Sequence, residues 1–212
     1  IDFYKAAAAA GIKPILGCEV YVAPGSRFDQ EQTARDDRYY HLVLLAENNT
    51  GYAHLMKIVS AGFVDGFYYR PRVDKEILRK YHEGIIALSA CLAGEIPRAI
   101  ARGDYNAAKA SAYEYRDIFG DGNFFLELQD HGIPEQKHVN MQLIRMHEEE
   151  GFPLVCTNDV HYTYKEDAEP HDMLLCIQTA KKVTDEDRMR YEGGQYFVKS
   201  EEEMRALFSY IP

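Results

Sequence analysis

The sequence predicts an α/β protein with a mostly parallel sheet and helices packed outside it, and three observations lead there. Short apolar runs rich in β-branched and aromatic residues alternate in regular turn with longer helical patterns. The runs are apolar nearly throughout, as strands covered on both faces require. Neither an internal repeat nor a linker interrupts the alternation.

The chain opens with IDFYKAAAAAG, already inside a helical pattern, and Ala6 to Ala10 read as helix because Gly11 and Pro14 follow as stop signals. Strands are predicted at 14–22 (PILGCEVYV), 41–46 (HLVLLA), 84–90 (GIIALSA), 123–129 (NFFLELQ) and 153–157 (PLVCT). Between them, residues 52–61 place Leu55, Ile58 and Val59 at helical spacing. A second helix starts on Asp104 as its cap and ends at Gly120, and a third has Pro134 in its first turn and Gly151 beyond its end. Residues 24–38, PGSRFDQEQTARDDR, are polar enough to read as a mobile loop. The closing LFSYIP follows one more helical segment, and with no initiator Met the sequence reads as an excerpt of a longer chain.

Bulk properties narrow the function classes. At 212 residues and 46% hydrophobic the chain can build one domain with a substantial core, and no run approaches the length of a membrane span. A formal charge of −10 and a pI near 5.3 repel a phosphate backbone over most of the surface, so any contact with DNA has to be local. Cys18, Cys91, Cys156 and Cys176 are widely spaced, with no C-x-x-C pair and no signal peptide. A reducing cytoplasm fits this usage.

In such folds chemistry gathers where strands end and loops begin. Asn158, Asp159 and His161 follow PLVCT, Cys91 follows IIALSA, and Asp130 and His131 follow NFFLELQ; Glu19 lies inside the first strand run, where a buried carboxylate needs a partner. On an extended chain Asp159 and His161 point the same way, roughly 6.5 Å apart at about 3.3 Å per residue, within reach of one metal or two neighbouring ones. Each residue also has a plainer role. Asp-x-His is compatible with a hydrogen-bonded turn, Cys91 with a small buried apolar side chain, Glu19 with a basic partner, and His131 with a cap before Pro134. His54, His82, His138, His147 and His171 fall on helical or polar stretches and read as solvated or peripheral.

The blocks GIKPILGCEVYVAP, YYHLVLLAENNTGYAHLMKIVS, GFYYRPRVDKEIL, IALSACLAGEIPRAI, FLELQDHGIPEQ and CTNDVHYTYKEDAEPHDMLLCIQT together resemble one family over essentially all 212 residues. It is the amino-terminal polymerase and histidinol phosphatase (PHP) domain of the bacterial replicative DNA polymerase III alpha subunits. The resemblance implies a distorted seven-stranded α/β barrel, with residues 1–212 forming the domain and the last few tens leading toward the next one. It implies a divalent metal cluster of zinc, manganese or iron, with Glu19, His41, Cys91, Asp159 and His161 as metal ligands and His131 and Asp130 beside them but outside the coordination sphere. His41 is the odd member, because it opens a strand instead of following one. The family's His-x-His motif and its next two motifs have no match here and are expected before Ile1.

The chemistry implied is metal-assisted phosphoester hydrolysis, seen in the family as 3′–5′ exonuclease proofreading; in other members the domain is a scaffold for the polymerase and a dock for a separate exonuclease subunit. Polymerisation, with its magnesium-binding aspartates, belongs to the parent chain, as do contacts with DNA and the sliding clamp. The 212 residues alone are expected to bind at most one metal, weakly, and to be inactive. A stand-alone histidinol-phosphatase-like phosphoesterase and a metal-free docking module are the alternatives, and the QDHGIPEQ and DMLLCIQT blocks favour the polymerase.

Overall fold

The structure, a computed structural model, describes residues 1–30 and 38–211. It is a mixed α/β chain with β1 (Gly17–Val22), β2 (Tyr40–Ala46), β3 (Phe67–Tyr68), β4 (Arg70–Val73), β5 (Ile85–Leu88), β6 (Phe124–Leu128) and β7 (Leu154–Cys156). The helices are α1 (Asp2–Ala9), α2 (Asn49–Val64), α3 (Lys75–Lys80), α4 (Glu95–Ala101), α5 (Tyr105–Phe119), α6 (Pro134–Glu150), α7 (Ala168–Thr179) and α8 (Glu201–Leu207). All five predicted strands and all three predicted inner helices are present. Sequence reasoning missed β3 and β4, because FYYRPRV carries two arginines and a proline and lacks the apolar continuity of the others.

The strands are ordered β3-β4-β1-β2-β5-β6-β7. Their directions correct the expectation of a mostly parallel sheet: β1–β4 and β5–β6 run parallel, but β1–β2, β2–β5 and β3–β4 are antiparallel. The apolar runs carried no information about direction, since a strand covered on both faces has the same composition either way. Reversing β2 brings its first residues beside the last residues of β1 and β5.

The chain divides into two compact units, residues 1–127 with 146–155, and residues 128–145 with 156–212. The core of the first unit is built from the sheet and the helices against it. Val20, Val22, Leu42, Leu44, Ile85, Ala87, Phe124 and Leu126 meet Leu55 and Ile58 of α2, Leu78 of α3, Ile96 of α4 and Tyr115 of α5, all buried. Asn48 caps α2 by accepting the amide of Gly51, and Asp104 caps α5 as predicted. The first turn of α2 crosses the chain at Gly84 so closely that a Cβ on Gly51 would lie 1.7 Å from the Gly84 carbonyl oxygen, and Gly84 itself holds φ +71. Only glycine fits at either place.

Part of the predicted mobile loop is anchored. Arg27 is 8% exposed, and its guanidinium and backbone amide both donate to Asp74 at 2.9–3.0 Å. Arg72 donates to the carbonyl oxygens of Arg27 and Asp29. A polar segment can be fixed when its charges are paired, which composition alone does not reveal. Residues 31–37 of that loop lie outside the described residues. Among the described residues no helix is long and apolar enough to cross a membrane.

Asp74 also caps α3 through the amide of Ile77. Replacing it with Ala removes the hydrogen-bonded carboxylate from a buried guanidinium, leaving the longer approaches of Glu76 and Asp65 at 3.6 and 3.9 Å, and uncaps a helix; it should cost about 3–5 kcal/mol in a urea unfolding measurement. A loss below about 1 kcal/mol, the range of an exposed pair, would show that the Arg27 contact contributes little.

Candidate metal centre

The first group of donors is assembled by β1, β2 and the turn after β5. In the β1–β2 ladder Glu19 pairs with Val43 and Tyr21 with His41, so Glu19 and His41 are diagonal neighbours on one face. Because β2 runs against β1 and β5, its first residues lie beside the last residues of both, which is how a histidine that opens a strand reaches the strand ends. Cys91 arrives from the SACLAG turn. That turn docks on His41 through a bridge to Gly94 and a hydrogen bond from the His41 amide to the Ala93 carbonyl. Gly94 is required for the turn, since a Cβ there would lie 2.2 Å from the Ser89 carbonyl oxygen.

His41 Nδ1 is 3.0 Å from Glu19 Oε1 and 3.6 Å from Cys91 Sγ, and one donor atom from each of the three residues lies within 4.8 Å of the others. Two ligands on one tetrahedral ion with bonds of about 2.0–2.3 Å are separated by roughly 3.3–3.8 Å, so a divalent cation fits between these donors with little movement. Imidazole, carboxylate and thiolate are all ligands of such ions. Glu19 is 41% exposed at its side chain, which corrects the expectation of a buried carboxylate: the β1 face carrying it is open. Its partner is His41.

Burial opposes a charge on His41, but the Cys91 thiol and the Glu19 carboxylate outweigh it and raise the imidazole to about 9. In the metal-free protein a proton therefore sits where a cation would. Tyr21 and Tyr39 flank the ring, with Tyr39 stacked on it at 6.1 Å and Tyr21 tilted at 5.1 Å. Sequence reasoning passed over both tyrosines. The alternation Tyr39-x-His41 was the available signal.

The second unit carries Asp159 and His161. The strand β7 ends at Cys156, and Asp159 has φ 44, a left-handed conformation that aspartate tolerates better than most residues. The extended geometry expected for Asp-x-His is therefore absent. The turn instead brings Asp159 Oδ1 to 3.5 Å from His161 Nε2. This loop is held from two sides within its unit. The amide of His161 donates to the Tyr196 carbonyl, Asn158 donates to the Phe197 carbonyl, and Lys199 donates to the Asn158 side chain.

His131 supplies the other restraint. It is 2% exposed; one ring nitrogen bonds the Asn158 carbonyl at 2.8 Å, the other meets Gln136 Nε2 at 2.9 Å, and the His131 amide donates to Gln136 Oε1. The assignment that satisfies all three puts the proton on Nε2. Burial lowers the ring's pKa, which keeps it neutral. The ring also stacks on Tyr196 at 3.9 Å. With both nitrogens engaged, His131 is a brace for the residue before Asp159. Asp130 is likewise buried and accepts the Gly132 amide, which closes the QDHG turn. The spacing His131 to Gln136 explains the QDHGIPEQ block: Pro134 starts α6 so that Gln136 faces back to His131. Of the remaining histidines, His54, His82 and His147 each donate to a backbone carbonyl, while His171 lies 5.9 Å from the His161 ring, with Tyr191 contacting both.

An open-faced carboxylate–imidazole–thiol group on a mixed α/β sheet defines a candidate metal centre. A sequence profile for the PHP domain matches residues 1–131, which include Glu19, His41 and Cys91, and the chain belongs to that family. The chain is 46% identical over all 212 residues to a DNA polymerase III subunit alpha of Treponema pallidum, 47% over 208 residues to that of Thermus aquaticus, and 43% over 211 residues to that of Deinococcus radiodurans. These alignments take in 98–100% of this chain and 16–18% of the relatives, so the chain spans less than a fifth of their length.

A metal entering this group has to expel the proton of His41. Between pH 7 and 8 uptake should release at least one proton per ion, read by calorimetry in buffers of different ionisation enthalpy, and each proton released should weaken binding about tenfold for every pH unit lowered. Binding that is independent of pH from 6 to 8 would place the ion elsewhere.

Proposed function

We propose that this chain is the PHP portion of a bacterial replicative DNA polymerase III alpha subunit, and that it holds a divalent metal centre for phosphodiester hydrolysis of the 3′–5′ exonuclease kind. The observation that carries the metal-binding part is the convergence of Glu19, His41 and Cys91, three ligand types from three separate segments, within 4.8 Å. The polymerase part is supported by alpha-subunit relatives that match the chain from end to end.

In this reading Glu19, His41 and Cys91 hold the ion, and Asp159 and His161 join the ligand set by the family resemblance. A bound divalent ion lowers the pKa of water toward neutrality and offsets charge on phosphate oxygens. Zinc suits the mixed nitrogen, oxygen and sulfur donors, with manganese or iron as alternatives. The protein's own part is to present the donors preformed. The sheet register sets Glu19 against His41, the SACLAG turn aims Cys91, and His131 braces the Asp159 loop. Closure of the seven strands into a distorted barrel, polymerisation at magnesium-binding aspartates elsewhere in the parent chain, contact with DNA, a separate exonuclease subunit and the sliding clamp, and a cytoplasmic setting are parts of the same proposal.

The test uses the complete polymerase chain, single-stranded oligonucleotide and added manganese or zinc. Asp159→Ala and Cys91→Ser should each lower metal content by elemental analysis and reduce 3′–5′ hydrolysis at least tenfold, the scale on which metal-site changes act. Hydrolysis that persists at the parental rate in both variants would assign the nuclease to another site, and a parent chain that takes up no divalent ion would leave a scaffold role in its place.

A further inference from the structure

We infer that Glu127 is a positioning residue for Cys91, acting through the backbone of the turn that carries the thiol; the inference rests on the reading of Cys91 as a metal ligand. Ala90, the residue before Cys91, has φ 63 and is 2% exposed. A residue with a Cβ is strained in the left-handed region, so the turn needs a restraint that outweighs this. Glu127 supplies one. Its Oε2 accepts the Ala90 amide at 3.0 Å, and its own amide donates to Ser89 Oγ at 2.8 Å. The two residues preceding Cys91 are thus tied to one residue of β6 by hydrogen bonds in both directions.

The register makes the arrangement a property of the sheet. In the parallel β5–β6 ladder Leu88 is opposite Phe125, and two residues further along both strands Ala90 comes beside Glu127. The Ser89 amide bonds the Phe125 carbonyl on the way. Glu127 is 5% exposed and Ser89 2%, so water competes poorly for these groups. A carboxylate is a stronger acceptor than a neutral group, by roughly twofold, which suits a turn whose conformation must not relax. Beyond Ala90 the chain closes on itself, with the Gly94 amide donating to the Cys91 carbonyl. Cys91 Sγ lies 3.6 Å from His41 Nδ1. Glu127 acts on Cys91 through the Ala90 amide and the Ser89 hydroxyl, so its role is indirect.

The experiment follows alkylation of Cys91 by iodoacetamide in the metal-free protein, quantified by peptide mass spectrometry with exposed Cys156 as internal reference, and repeats it with zinc added. Glu127→Ala should change the Cys91 to Cys156 rate ratio about tenfold, as expected for the loss of a charge-assisted hydrogen bond, and should remove zinc protection of Cys91. Glu127→Gln keeps a weaker acceptor and should fall between, at about threefold. A purely structural carboxylate would lower the melting temperature in both variants and leave the ratio unchanged, which overturns the inference. If the Ala variant does not fold, a Gln variant at the parental ratio overturns it equally. Zinc failing to protect Cys91 in the parent protein would count against the metal reading, while the metal-free ratio still decides the role of Glu127.

Discussion

The reversal of β2 between β1 and β5 is the constraint on which the candidate centre depends. Were β2 parallel to its neighbours, His41 would lie at the far end of the sheet from Cys91, and Glu19 would have no imidazole beside it. With β2 antiparallel, one histidine at the start of a strand becomes a neighbour of a mid-strand glutamate and of a cysteine beyond a strand end. The three residues are 22 and 50 positions apart in sequence, and the β1–β2 ladder with the turn after β5 brings a donor atom of each within 4.8 Å of the others. Ladder and turn do this before any ion arrives, with a shared proton on His41 in its place.

The two units use different means to hold their chemistry. In the first, regular sheet register places two of the donors, and only the Cys91 turn needs special backbone. In the second, Asp159 and His161 lie past the end of β7, and hydrogen bonds from residues 196–199 and from His131 replace the ladder. A loop fixed by side-chain bonds keeps its shape only while the braces are present.

Much of this was legible in the sequence. Alternating apolar runs and capped helical segments gave every strand with an apolar core face, and motif blocks pointed to Glu19, His41 and Cys91. What could not be read was direction and conformation. Val43 or Leu44 packs alike in a parallel or an antiparallel strand, so the place of His41 looked anomalous until the ladder was known. Asp159-x-His161 suggested an extended pair, and the left-handed Asp159 produces proximity by a different route. Glu127 is one charge in an apolar run, NFFLELQ, and its bond to the Ala90 amide is one that no spacing rule reveals. Arg27 sat in a segment whose polarity suggested mobility, and its distant partners Asp74 and Arg72 show otherwise.

The contact between Gly51 and Gly84 has a consequence for genetics. Two side chains that collide can be reconciled by a second change that makes the partner smaller, and such compensating pairs are the usual source of intragenic suppressors. Here neither partner has a side chain to reduce: an alanine at 51 meets a carbonyl oxygen, and a Cβ at 84 meets the amide nitrogen of 51 and the capping oxygen of Asn48. A lesion at either glycine is therefore expected to have no suppressor at the other. Revertants selected after such a lesion should restore the original codon or act at a distance by raising the stability of the whole unit.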